Sequence, residues 1–330
     1  MTALPLWFEI TSLVVLVLIL LGDLLLVTLR PHVPSLKECA LWVTFYVGLA
    51  LVFAVAIWLL ADHHHAIEFV AGWATEYSLS IDNLFVFIII MSRFSVPRKY
   101  QQEALMVGIV IALILRAVFI LLGASLIEAF SWIFYLFGAF LVYTAIKQAF
   151  GNQEESGDDN GLVRVIRKRV AFTTEFDGSK LRTVIDGVTH WTPMLLVFIS
   201  LGTTDVLFAL DSIPAIFGIT QSPFIVFTAN LFALMGLRQL YFLLGGLLER
   251  LVYLHYGIAV ILAFIGVKLV FHALHENELP FLNGGEHIAW APDIGTGTSL
   301  LVILGAMAAA TVASLLAPSR VKSADPGSHA

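Results

Sequence analysis

Two short segments carry acids where acids are costly. Glu76-Tyr-Ser-Leu-Ser-Ile-Asp82-Asn83 and Asp205-Val-Leu-Phe-Ala-Leu-Asp211-Ser212 each set two carboxylates six residues apart, followed by an amide or a hydroxyl. Both lie in long apolar runs. A charge at the centre of a membrane helix costs about 2.5–3.5 kcal/mol, so four unpaired ones would cost on the order of 10 kcal/mol. Such residues persist when they are paired, solvated or functional. Ser80, Thr203 and Thr204 stand beside them, and no Cys or His does. This hard-oxygen set suits Mn2+, Mg2+ or Ca2+ rather than Cu+ or a thiolate zinc site. The plainer alternative is that the acids pair with Arg116 and Arg238 to hold helices together. The metal-site reading is preferred for Glu76, Asp82, Asn83, Asp205, Asp211 and Ser212. A structural role is preferred for the two arginines, which could also act as counter-charges returning an empty site to rest. Asp23, outside both segments, either reaches the pathway or faces a polar neighbour.

Helix geometry limits how these acids can cooperate. Residues six apart lie about 120° apart around a straight helix and ~9 Å apart along it. Neither pair can chelate one ion from a single straight helix. Antiparallel crossing of the two helices is expected to set Glu76 near Asp211 and Asp82 near Asp205. Unwinding at Leu79-Ser80, or before Pro214, would help by freeing backbone carbonyls.

The elements that must position these residues are membrane helices. Of the 330 residues 59% are hydrophobic and only 13% charged, against about 25% charged in an average soluble domain. The apolar residues come in blocks, and a block of about 20 spans the ~30 Å hydrocarbon layer. Nine spans are expected: Trp7–Leu29, Ala40–Leu60, Phe69–Met91, Ala104–Ser125, Ile127–Phe150, Pro193–Phe217, Phe224–Leu247, Tyr253–Leu274 and Thr298–Leu316. The split between the fourth and fifth rests on Glu128 and Ser131. The first block reads as a retained helix, not a signal peptide. Lys and Arg cluster after the first, third, fifth, seventh and ninth spans, and the intervening loops hold none. The positive-inside rule then puts the N-terminus outside and the C-terminus in the cytoplasm.

The two acidic segments begin an internal repeat. Each is followed by an arginine in an apolar helix (Arg116, Arg238), a Phe/Leu/Gly stretch and a lysine near the end of the next span (Lys147, Lys268). Three spans per unit turn the second unit upside down, a transporter plan with the site near the midplane between repeats. The expected fold class is therefore all-α, polytopic, with about nine transmembrane helices and a three-plus-three inverted repeat. Residues 1–62 hold two N-terminal helices, 63–150 the first repeat and 151–192 a cytoplasmic linker. Residues 193–275 hold the second repeat, and 276–330 a periplasmic loop, the final helix and a cytoplasmic tail. Within the linker, Ala171–Val184 is expected to form a small hairpin around Asp177-Gly178.

Other features exclude or stay bland. The single Cys39 rules out an intramolecular disulfide and a multi-thiolate zinc site. No clustered basic surface points to nucleic acid. No Walker, Gly-x-Ser-x-Gly or His-Glu-x-x-His motif occurs, so neither direct ATP drive nor an enzyme is expected. His63-His64-His65 reads as a solvated triplet rather than a cation collector. Gly48, Gly72, Gly123, Gly138, Gly245, Gly246 and Gly266 read as points of close helix approach, the Gly245-Gly246 pair also as a bend.

The chain resembles the TerC family, including its Alx-type members, within the LysE-like transporter superfamily. The resemblance runs from about Leu16 to Ala273. It is carried by Glu76-Tyr-Ser-Leu-Ser-Ile-Asp-Asn-Leu-Phe-Val-Phe, Phe94-Ser-Val-Pro, Gly108 through Arg116, Tyr135-Leu-Phe-Gly-Ala-Phe-Leu and Asp205 through Thr220. It implies manganese export for some members and metal supply to secreted enzymes; other members carry a tellurite-resistance or redox-modulator association. The positions that carry over are Glu76, Asp82, Asp205 and Asp211, with Asn83 and Ser212. Many relatives have a glutamate where this chain has Gly202. The expectation is a secondary transporter in the bacterial inner membrane, carrying a dication, Mn2+ foremost, outward in exchange for protons. No tightly bound cofactor is expected. Secreted metalloenzymes or a homo-oligomer are the protein partners it admits. The rival expectation is a non-transporting membrane scaffold or redox modulator.

Overall fold

A computed structural model describes residues 5–29, 34–130, 132–150, 172–173, 176–185, 188–244, 253–275, 277, 279, 282–283, 286, 288, 290–292 and 294–316. Five helices precede the linker: α1 (Leu6–Leu29), α2 (Leu36–Leu60), α3 (His63–Arg93), α4 (Arg98–Ala129) and α5 (Ile133–Phe150). A short antiparallel pair, β1 (Arg182–Ile185) and β2 (Val188–Trp191), leads into α6 (Pro193–Phe217). Then come α7 (Pro223–Leu234), α8 (Leu237–Leu244), α9 (Leu254–His275) and α10 (Thr296–Leu316). Among the described residues, nine helical stretches are long and apolar enough to cross a membrane, α7 and α8 together forming the seventh. The chain is an all-α polytopic membrane protein.

Capping chemistry sets several starts. Ser35 and Ser222 accept from the backbone N–H three residues on, and Pro223 occupies the first helical position of α7. Asp62 caps α3, accepting from the His65 backbone N–H and contacting its ring at 2.8 Å. These hydrogen bonds hold the Asp62 carboxyl below the usual carboxylate range. The histidine triplet is therefore tied into a helix start: His64 also lies 3.5 Å from Glu68. Phe130, with extended backbone, ends α4 where the fourth and fifth spans were expected to part. Ser131 and the Glu128 side chain lie outside the described residues.

Three expectations need correction. α3 runs unbroken through Leu79-Ser80, and α6 carries Pro214 within its last turn without unwinding ahead of it. The break falls in the seventh span, at Met235-Gly236, where a continuous helix was expected. Gly236 has φ +82°, a conformation open mainly to glycine, and a Cβ there would meet the Tyr46 ring at 3.0 Å. Non-helical backbone at membrane depth survives where protein covers it, and 94% of this span's most apolar stretch is buried. Gly245 and Gly246, the expected bend, lie outside the described residues. Finally, the linker hairpin pairs 182–185 with 188–191 rather than folding around Asp177-Gly178. That dipeptide does form a turn, with Gly178 at φ +63°. The Phe172–Thr173 stretch before the turn joins Trp191 through the Thr173 N–H.

Among the glycines, Gly138 and Gly266 bring α5 and α9 into backbone contact. A Cβ on Gly138 would lie 2.7 Å from the Gly266 carbonyl oxygen, and one on Gly266 2.9 Å from that of Gly138. Gly48 meets nothing within 4 Å, so it does not serve that purpose within the chain. Gly138→Ala is expected to lower stability by about 1–3 kcal/mol through overpacking, while Gly48→Ala changes it little. Thermal unfolding of the two variants in detergent checks the contrast.

Candidate functional site

The acids sort themselves by helix face. On α3, Glu76, Ser80 and Asn83 stand at i, i+4 and i+7, one stripe of the helix. On α6, Asp205 and Ser212 stand at i and i+7. All five are buried, Glu76 and Ser80 completely. Between the two stripes lies Arg116 of α4, 1% exposed. Its Nη1 donates to Glu76 Oε2 at 2.6 Å, and its Nη2 lies 3.6 Å from Asp205 Oδ1. Asn83, with its amide nitrogen donating to the Leu79 carbonyl, presents its oxygen to Arg116 Nη2 at 3.3 Å. Three helices thus meet at one guanidinium.

Glu76 and Asp205, which hold matched positions in the two similar segments, bind different terminal nitrogens of Arg116. Asp211 is half-buried and acts on Arg116 electrostatically. Asp82 belongs to α3, but its side chain lies outside the described residues. The Thr203 hydroxyl turns back on its own helix, donating to the Ile199 carbonyl at 2.7 Å, and Thr204 is half-buried. Among the described residues, no group of three or more His, Cys, Asp or Glu side chains is arranged to hold a metal ion. A positive side chain sits between Glu76 and Asp205, two of the expected ligands.

That ion pair leaves oxygen donors over. Among the described residues, Glu76 Oε1, Asp205 Oδ2, Ser80 Oγ and Ser212 Oγ are buried with no hydrogen-bond partner, as is Arg116 Nε. Buried polar atoms are almost always satisfied, so a run of exceptions at one place marks a site. Asn230 of α7 joins the set. It is 1% exposed, its amide oxygen and nitrogen both lack partners, and it lies within interaction range of Glu76. Sequence reasoning missed Asn230. The available signal was a lone amide in the apolar run Phe-Thr-Ala-Asn-Leu-Phe.

Apolar layers close both sides of this cluster. Toward the start of α3 and the end of α6, Phe69 packs with Phe53 and Phe232 at ring-centroid distances of 5.0 and 5.6 Å, beside Ile213 and Ile216. Toward the other side lie Leu84, Phe87, Leu105, Val197 and Leu201. The arrangement is occluded. Arg238, the second arginine of the repeat, does not mirror Arg116. Its Nη2 donates to Asp23 Oδ1 on α1 at 2.9 Å.

A buried carboxylate–arginine cluster at the junction of three membrane helices, beside a broken helix, defines a polytopic membrane protein with a polar core. The chain belongs to the TerC family of integral membrane proteins, whose family model matches residues 61–322. It is 45% identical over 301 residues to an uncharacterized membrane protein of Mycobacterium tuberculosis, spanning 90% of this chain and 76% of that one. An uncharacterized membrane protein of Myxococcus xanthus is 38% identical over 288 residues, 87% of this chain and 85% of its own. The Escherichia coli protein named "Putative membrane-bound redox modulator Alx" is 43% identical over 268 residues, 78% of this chain and 83% of its own. No solved structure matches the chain significantly.

Removing the shared cation tests how the cluster is held. Arg116→Gln strands Glu76 and Asp205 without a counter-charge, and breaking a buried pair from one side costs about 3–5 kcal/mol. The triple variant Glu76→Gln, Arg116→Gln, Asp205→Asn is expected to recover most of that loss. Thermal unfolding of both in detergent provides the measurement.

Proposed function

We propose that the chain is a secondary transporter that exports a divalent metal cation, Mn2+ foremost, in exchange for protons. Its site would lie near the membrane midplane between two inverted three-helix units, α3–α5 and α6–α9. The observation that carries this reading is the set of buried oxygens without partners around Arg116. Two carboxylates, two hydroxyls and two amide oxygens converge from α3, α6 and α7, a donor set suited to a hard dication.

In this reading Arg116 is the resident cation of the empty, occluded state. A dication arriving from the cytoplasm must win Glu76 and Asp205 from it, with Asn83, Asn230, Ser80 and Ser212 completing the shell and Asp82 and Asp211 supplying further charge. Carboxylates that hold a dication can hold protons instead, so protons entering from outside would discharge the metal. Arg116 would then return and keep the unloaded acids from being stranded in a low-dielectric interior. Asp23 and Arg238 would stand apart from the cargo. The bacterial inner membrane, with the N-terminus outside, is the setting that the loop charges support.

A second reading, a redox modulator or scaffold without transport, is favoured by the name of the Escherichia coli relative. The one thiol available for it, Cys39, is buried in α2.

The test is Mn2+ flux into proteoliposomes under an imposed pH gradient, read with a trapped metal-sensitive dye. The unaltered chain is expected to move Mn2+ with the gradient's direction. Asp82→Asn, Asp205→Asn and Asp211→Asn are each expected to cut the flux at least about tenfold, the loss of one charge-assisted contact. Asn230→Ala is expected to weaken apparent Mn2+ affinity more than maximal rate. Undiminished flux in both Asp82→Asn and Asp211→Asn would falsify the assignment.

A further inference from the structure

The second charged cluster has the parts of a movable closure. Asp23 sits on α1, ahead of the region matched by the family model. Its partner, Arg238, is the second residue of α8, directly after the break at Met235-Gly236. Tyr46 of α2 packs against Gly236, and its hydroxyl lies beside Asp23. The cluster is largely buried but, among the described residues, unsaturated: Arg238 Nη1 and both amide atoms of Gln239, which is 3% exposed, have no hydrogen-bond partner. A small cavity lined by Asp23, Gly236, Arg238, Gln239 and Met106 has room for about one water-sized molecule.

A pair that served only to fasten helices would have its hydrogen-bonding capacity spent. Here donors and an acceptor remain unspent around a salt bridge, with a glycine hinge two residues away. Broken helices are where transporter folds concentrate their movement. By the loop charges, this cluster lies on the cytoplasmic side of Arg116 and Asn230, so α8 stands between the site and the cytoplasm.

We propose that Asp23 and Arg238 form the inner latch of the transporter. Their ion pair holds the α8 half-helix closed; its release lets α8 turn about Gly236 and opens the cytoplasmic route to Asn230 and Glu76. Asp23 is a positioning residue, acting through Arg238 without touching cargo. The proposal rests on the transport reading for its purpose, but its geometry can be tested without cargo.

The chain supplies its own reporter. Cys39, its single cysteine, is fully buried on α2 within electrostatic range of Arg238. The experiment is the labelling rate of Cys39 by a membrane-impermeant maleimide, in inside-out and right-side-out vesicles. Asp23→Asn and Arg238→Gln are each expected to speed labelling about tenfold from the cytoplasmic face only, as the open population grows. The exchanged pair, Asp23→Arg with Arg238→Asp, is expected to return the rate to that of the unaltered chain. This recovery separates an opened latch from a misfolded chain. Unchanged rates in both single variants overturn the latch, as does equal acceleration from both faces or an exchanged pair that labels as fast as the singles. Mn2+ flux in the same vesicles keeps the two ideas apart. Flux that depends on Asp211 alongside unchanged labelling removes the latch alone. Accelerated labelling with no flux in the unaltered chain leaves the latch and removes the cargo.

Discussion

The contact of Arg116 with Glu76 and Asp205 is the constraint around which the membrane domain is arranged. Each charge alone would be costly in a water-free interior, and the three reach that interior on three different helices. Their mutual attraction fixes the rotation of α3, α4 and α6 about their own axes, because the face that carries the paired group must turn inward. Once those rotations are fixed, the apolar layers on either side follow. Phe53, Phe69 and Phe232 meet edge-on and tilted on one side, and Leu84, Phe87 and Leu201 pack on the other. The cluster is pinned without being saturated. One guanidinium faces two carboxylates, so Ser80, Ser212 and the Asn230 amide keep lone pairs without a partner among the described residues.

Much of this was legible in the sequence, for physical reasons. Apolar blocks of membrane length report spans directly, and the alternation of Lys and Arg between loops checks their number. Glu76 and Asp205 stand out because acids are rare in such blocks. The rest depended on information the residues do not carry singly. Spacing shows that Asp82 and Asp211 lie about 120° from their neighbours, but not which face turns inward. That choice is made by Arg116, forty positions from Glu76 in the chain. The break at Met235-Gly236 was hidden because one glycine in an apolar run looks like ordinary packing, and Gly245-Gly246 looked weaker as helix. What decides it is tertiary: Tyr46 fills the space that a side chain at 236 would need. Asn230 was passed over because a single neutral amide costs far less in a membrane helix than a carboxylate.

The two similar segments use their arginines differently. Arg116 serves the central acids, and Arg238 pairs with Asp23 of α1. The N-terminal helices are therefore not a passive addition to the part of the chain that defines the family. They supply Asp23 to the second unit and Tyr46 to its broken helix, contacts for which the first unit has no counterpart among the described residues. The two arginines therefore have unequal partners, one central and one toward α1.

The glycine contact between α5 and α9 carries a mechanical consequence. Peptide backbones approach there with only the methyls of Val142 and Val270 beside them, so little at that seam can compress. Pulling the two helices apart would open a void that neither lipid nor water fills well, whereas rolling one over the other keeps the surfaces in touch. The seam thus admits rotation of one helix over the other more readily than their separation.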